Sequence, residues 1–207
     1  MLDRGEIAGG MSARTSAHLT PQCDDGFEAL NKLRGVDGGK IFYESHAAAV
    51  DRIEAIQKEE DINCRFRRVN GYLFPAVGKD PAEEITPEFE ATKKVGMPIE
   101  RYAGLPFEGM EKTKCLRYPN LATFHPLQYL KGVANAFMAR GGKLFGNTVV
   151  TSVEEEDGTV TVRTDKDDSV AASLEACCCR VSSPARAALG KNSMTRPAWS
   201  FPQPRIS

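Results

Sequence analysis

The sequence predicts an α/β protein, and three observations carry that expectation. Segments with apolar residues at helical spacing alternate along the chain with short β-prone runs, an order that suits mixed layers. The chain opens on an acid, a glycine pair and a run of hydroxyl side chains, as a nucleotide-binding turn would. Its 207 residues are 41% hydrophobic, enough for a packed core in one domain or a small pair.

The opening reads Leu2-Asp3-Arg4-Gly5, then Gly9-Gly10-Met11-Ser12-Ala13-Arg14-Thr15-Ser16. In a dinucleotide-binding unit the acid that ends the second strand accepts hydrogen bonds from ribose hydroxyls. Glycines let the backbone approach a cofactor closely. Ser12, Thr15 and Ser16 offer hydroxyls to polar cofactor groups. Only Met1 and Leu2 precede the acid, whereas the glycine fingerprint that holds a pyrophosphate is expected about 20 residues earlier. On residues alone, Gly9–Ser16 also reads as a polar turn capping a helix.

The elements follow in order. Asp24 and Asp25 precede a helical run through Phe27, Leu30 and Leu33, since acids suit the positive pole of a helix start. Gly35, Gly38 and Gly39 interrupt or bend it. Ile41, Ser45, Ala49, Ile53 and Ile56 form the inner stripe of a longer helix. His46 on that helix reads as structural, because a metal site needs several partners. Cys64–Phe74 reads as a strand in which Asn70-Gly71 marks a hairpin or bulge. Pro81–Val95 reads as a surface helix that Pro87 complicates and divides if it breaks. Pro98, Pro106 and Pro119 break the next stretch into loops and short strands.

Tyr118–Phe124 reads as a further strand. Pro126 then opens a helix with Leu127, Leu130, Ala134 and Phe137 on one face, closed by Gly141 and Gly142. Val149, Val150 and Val153 mark a strand, Asp157-Gly158 a tight turn, and Thr159–Thr164 a partner strand with Val160 and Val162 inward.

Composition excludes several classes. A net charge of −1 argues against nucleic acid as a main partner. No apolar run is long enough for a membrane span, and no basic-then-apolar leader opens the chain. Cys23, Cys64 and Cys115 are scattered singly, which reads as reduced thiols. Cytoplasmic residence follows as the expectation. No metal site is assigned.

Residues 176–207 differ from the rest. All 28 acids precede them, while Arg180, Arg186, Lys191, Arg196 and Arg205 fall within. Cys177, Cys178 and Cys179 stand side by side, without the spacing of zinc sites. The stretch reads as a disordered basic tail or a poorly ordered terminus. A third reading is a reading-frame shift near Asp167 to Ala176.

The opening block resembles the FAD-dependent oxidoreductases of the D-amino-acid oxidase and glycine oxidase superfamily, which also holds glycerol-3-phosphate dehydrogenase. Their pattern is an acid, a short variable step, then Gly-x-Ser/Thr-x-Arg-Ser/Thr-Ser/Thr. Asp3, Gly10, Ser12, Arg14, Thr15 and Ser16 match it. The resemblance runs from about Leu2 to Asp165 and is closest to bacterial members that often carry a C-terminal Rieske domain. The Rieske cysteine–histidine pattern itself is absent from this chain.

The resemblance implies FAD as cofactor and an insertion architecture: a partial FAD-binding Rossmann-like domain with an inserted α+β substrate domain. Residues 1–60 would be the partial FAD-binding domain and 61–124 the substrate-domain segment. Residues 125–166 would return to the FAD-binding domain, leaving 167–207 as an irregular, non-native tail. Asp3, with Arg4 in the same cofactor-binding set, would bind the adenosine ribose. Gly9, Gly10, Ser12, Arg14, Thr15 and Ser16 would serve the flavin-side phosphate and ring, and a backbone group near Val150 would meet the adenine.

The family passes a hydride from a substrate C–H to the flavin, so the cofactor carries the hard step. No catalytic residue is assigned. His18 stands where the glycerol-3-phosphate dehydrogenase pattern has lysine; a helix cap is the favoured reading, a place near the flavin ring the alternative. Arg68 with Tyr72, and Arg117 with Tyr118, are neighbours of the kind a carboxylate wants, yet read as exposed arginines beside core tyrosines. His125-Pro126 reads as a helix start.

The expected function is a truncated FAD-dependent oxidoreductase acting on an amine, amino acid or related small molecule. The alternatives are a catalytically inactive truncated polypeptide and a non-enzymatic interaction module.

Overall fold

A computed structural model describes residues 1–76, 80–156, 159–166 and 169–173. The fold is mixed α/β, as expected. The described residues form two compact units: Met1 with Ile7–Leu144, and Leu2–Glu6 with those from Phe145 to Ser173.

The first unit is built on a sheet whose central strand is β4 (Lys114–Thr123). β1 (His18–Leu19) and β2 (Arg67–Leu73) flank it, and β3 (Glu100–Ala103) also pairs with it, all antiparallel. Sequence reading started this strand at Tyr118 and assigned the preceding stretch to loops and short strands. The strand instead begins four residues earlier and runs through Pro119. The proline is tolerated because the ladder is broken there: register shifts between Val69 and Gly71 on β2, and Asn120 has φ 65°. The Asn70-Gly71 signal thus marks a bulge, in which Pro119 and Asn120 of β4 stand opposite Asn70. Leu121 closes over it, and a Cβ on Gly71 would lie 2.3 Å from the Leu121 Cδ1.

Helix α1 (Gly26–Glu59) is interrupted at Gly35, whose φ of 73° and ψ of 168° are not helical. The expected bend therefore falls on the first of the three glycines. The expected stripe is corrected. Ile41 is 68% exposed and Ser45 and Ala49 also face solvent, while Phe42, Tyr43 and Val50 turn inward. Each four-residue step from Ile41 through Ser45 and Ala49 to Ile53 overshoots a full turn by about 40°, so the start of that stripe lies well round the helix from its inward end at Ile53. Ile53 and Ile56 do pack inward. His46 stacks on Phe42, with ring centroids 3.9 Å apart.

The start of α1 is capped from outside. Asp25 makes no side-chain cap bond. Instead the buried Glu88 carboxylate accepts from the backbone N–H groups of Phe27 at 2.9 Å and Glu28 at 3.0 Å, and from the Thr92 hydroxyl at 3.1 Å. Glu88 belongs to α2 (Pro81–Lys94), a single helix that Pro87 does not break. Its inner face, Ile85, Ala91 and Val95 beyond its end, packs with Phe27, Leu116, Tyr118 and Leu121 into the main core.

Helix α3 (Pro126–Ala139) begins as expected at His125, whose Nδ1 accepts from the Gln128 N–H at 3.3 Å. Its end is a paired-glycine stop: Gly142 N–H donates to Phe137 O and Gly141, at φ 84°, donates to Met138 O. The buried face is Tyr129, Leu130 and Val133, packed with Ile62 and Cys64, whereas Leu127 and Phe137 are about two-fifths exposed. Gly132 lets Ile62 approach, since a Cβ there would lie 2.5 Å from the Ile62 Cγ2.

In the second unit the opening residues run beside Phe145–Thr148. Leu2 bridges Phe145 in parallel, Asp3 N–H donates to Phe145 O, and Thr148 N–H donates to Asp3 O. β5 (Val150–Glu156), β6 (Thr159–Thr164) and β7 (Ser169–Ser173) form an antiparallel sheet. Val160 and Val162 are buried as expected. The tail expectation from residue 167 is corrected at β7, which pairs along β6 from Ser169 to Ser173. The strand had little apolar alternation to reveal it; pairing supplies what its pattern lacks. The Asp157-Gly158 turn and residues 174–207, with their cysteine triplet, lie outside the described residues.

Candidate functional site

Register at one end of the first unit's sheet brings three segments together. Thr123 on β4 stands opposite both His18 of β1 and Arg67 of β2. Phe124 N–H then donates to Ala17 O at 3.3 Å, and His125 N–H to Cys64 O at 2.7 Å. Residues 12, 13, 15–17, 65–67 and 123–127 consequently surround one cleft of about 850 Å³, a volume that suits a small-molecule ligand.

The polar residues of the lining are Ser12, Thr15, Ser16, Arg65, Arg67, Thr123 and His125. Thr15 Oγ1 accepts from Ala17 N–H, fixing the turn that presents these hydroxyls. The accepting role of His125 Nδ1 puts the proton of the neutral ring on Nε2. Phe66 and Phe124 supply half-buried apolar surface.

The sequence-derived residues divide between the units. Gly9, Gly10, Ser12, Arg14, Thr15 and Ser16 belong to the first, and Asp3, Arg4 and Val150 to the second. Within the first, Gly10 precedes a 3-10 turn at Met11–Ala13 and Arg14 follows it. Gly10 has no heavy atom within 4 Å of where a Cβ would stand, so its backbone is open to a close approach. Arg14 is exposed and does not line the cleft. In the second unit Asp3 is exposed, and its Oδ1 accepts from Gly5 N–H at 2.9 Å. Val150 is the first residue of β5 and pairs with Thr164.

His18 is corrected: it lies in β1 opposite Thr123 and caps no helix. The contribution of residues 65–67 and 123–125 was missed, because only the β4 pairing carries them to residues 12–17. The available signal was the cationic Arg65-Phe66-Arg67 run at the start of β2. Arg68 and Arg117 are spoken for. Arg68 meets Asp51 and Glu54, each at 2.6 Å, and Asn120 O, while Arg117 pairs with Glu100 and lies over the Tyr102 ring.

Cys23, Cys64 and Cys115 are free thiols. Burial pushes the Cys115 thiol up from its usual value, which makes it inert at neutral pH. Among the described residues no helix is long and apolar enough to cross a membrane.

This fold defines a class, and the comparisons give its family. The model of the FAD dependent oxidoreductase family matches residues 1–190, and the chain belongs to that family. FAD is the family's cofactor. The Bacillus subtilis (strain 168) protein YhfW, named a Rieske 2Fe-2S iron-sulfur protein, is 28% identical over 155 residues, covering 75% of this chain and 30% of that protein. Glycine oxidase from Geobacillus kaustophilus has the same fold at 14% identity, with a TM-score of 0.63 over 83% of this chain and 45% of that one. L-amino acid deaminase from Proteus myxofaciens matches with a TM-score of 0.63 at 15% identity, over 83% and 38%. The chain thus spans under half the length of each of these proteins.

Proposed function

We propose that this chain carries part of an enzyme that oxidises an amine, an amino acid or a related small molecule by hydride transfer to FAD. The observation that carries the reading is the convergence of the Ser12, Thr15 and Ser16 hydroxyls on one cleft, at the positions that match the family's flavin-side motif. When bound, FAD supplies the two-electron acceptor.

This chain's own residues bind and orient. Asp3 presents an exposed carboxylate at the end of a short parallel bridge, which suits a ribose hydroxyl pair. Arg4 and a backbone group near Val150 serve the same adenosine side. Gly9 and Gly10 admit the backbone to close contact, the three hydroxyls donate to polar edges, and Arg14, exposed beside them, offers a charge to a phosphate. Phe66 and Phe124 exclude water from the cleft wall. Free thiols suit a reducing compartment, and we place the enzyme in the cytoplasm.

The test is to mix the purified full chain with FAD and follow flavin fluorescence through gel filtration. Quenched, co-eluting flavin is expected, with about tenfold weaker binding in Asp3→Ala and in Ser12→Ala/Ser16→Ala. Free flavin at every protein concentration overturns the reading. A second reading, that the chain by itself does not turn over, draws on the share of its relatives that it spans. Retained FAD without reduction by any of a panel of amino acids and amines would favour it.

A further inference from the structure

We propose that His125 serves two partners at once: its Nδ1 caps α3, and its Nε2–H donates across the cleft to a hydrogen-bond acceptor on the flavin half of FAD. The flavin as ligand rests on the function proposed above; the directed donor rests on the geometry that follows.

His125 is held from several sides. A residue before proline is confined to extended backbone, and His125, before Pro126, sits at φ −100° and ψ 102°. Its N–H donates to Cys64 O at 2.7 Å, and its carbonyl accepts from Tyr129 N–H at 3.0 Å. Cys64 and Tyr129 are both buried, and the Phe124 ring meets the Tyr129 ring edge-on at 5.6 Å. The Gln128 N–H then fixes the imidazole by donating to Nδ1 at 3.3 Å. A neutral ring whose Nδ1 accepts carries its proton on Nε2. His125 is half-buried and lines the cleft, and its Nε2–H has no partner among the described residues.

Capping alone does not account for a histidine here. Asn, Asp, Ser and Thr are the preferred caps, and an acid would also suit the positive pole of the helix. Histidine does their work with one nitrogen and keeps a second nitrogen that only donates. The Ser12 and Ser16 hydroxyls on the same cleft rotate and can donate or accept. The Nε2–H has its direction set before any ligand arrives, so less side-chain freedom is lost on binding. None of the residues lining the cleft is acidic, so no carboxylate of the wall competes for the donor. A flavin ring supplies the matching chemistry, carbonyl oxygens and unprotonated ring nitrogens, all acceptors.

Two substitutions separate the two nitrogens. His125→Asn keeps a capping acceptor and removes the donor, whereas His125→Gln keeps an amide donor at longer reach and gives up the preferred cap. The full chain is titrated with FAD and FMN by flavin fluorescence and with ADP by calorimetry. His125→Asn should keep the wild-type urea midpoint and bind FAD and FMN about threefold to tenfold more weakly, with ADP unchanged. His125→Gln should lower the midpoint and hold FAD within about twofold of wild type. Ring nitrogen resonances test the wild type directly, whatever the stability of the variants: the His125 proton should sit on Nε2, and that resonance should move when FAD is added. Wild-type FAD affinity in His125→Asn, a proton on Nδ1, or a loss of ADP binding equal to that of FMN overturns the donor and leaves the flavin reading standing. Free flavin at every concentration of the wild type sinks the flavin reading and the donor's assignment with it.

Discussion

Glu88 shows how much one side chain settles in this fold. The residue is 5% exposed, and its carboxylate satisfies two orphan N–H groups of α1 together with the Thr92 hydroxyl. Glu88→Ala should cost about 2–3 kcal/mol, since two buried donors lose a charged acceptor, read as a lower urea midpoint at unchanged slope. Glu88→Gln keeps one acceptor oxygen and should cost less. Gly132→Ala should also destabilise, by about 1–3 kcal/mol, because its Cβ would press on Ile62 and α3 must shift to admit it. Neither contact is legible in sequence. Glu88 stands in a run of acids on an amphipathic helix, and nothing local says that its partner lies 61 residues away.

At the scale of elements, the carboxylate cluster on the second segment of α1 ties that helix to β2. Hydrogen bonds from Lys58 and Arg68 hold the Glu54 carboxyl below its usual value. A lowered folded pKa stabilises the protein above the unfolded value of about 4.3, and that contribution is lost as pH falls through the folded pKa. Glu54→Gln should therefore lower the urea midpoint at pH 7, and the gap to wild type should close below about pH 4.

Elements with local signals were legible: the Asn70-Gly71 irregularity, the Pro126 start, the paired-glycine stop and the valine alternation of β6. β4 was read short because Pro119 argues against a central strand, and only the bulge of Pro119 and Asn120 opposite Asn70 removes that objection. Ile41 was read as inward because a stripe of repeated four-residue steps drifts about 40° per step on a 3.6-residue helix.

For the molecule as a whole, long-range pairing decides which residues meet. The resemblance of the opening block singles out Ser12, Thr15 and Ser16, whereas Arg65, Arg67 and His125 come to the same cleft only through β4. In the second unit, Leu2–Gly5 provides backbone partners for Asn147 and Thr148. Deleting residues 1–5 should abolish the hydrogen-exchange protection of those two amides while leaving that of Val162, in the centre of β6, largely in place.

The remote cap on α1 also bears on how the chain matures during synthesis. Phe27 leaves the ribosome long before Glu88 does, so the first turn of the longest helix stays frayed through the translation of some sixty further codons. At about 5–20 residues per second, several seconds pass before that carboxylate can arrive to close it.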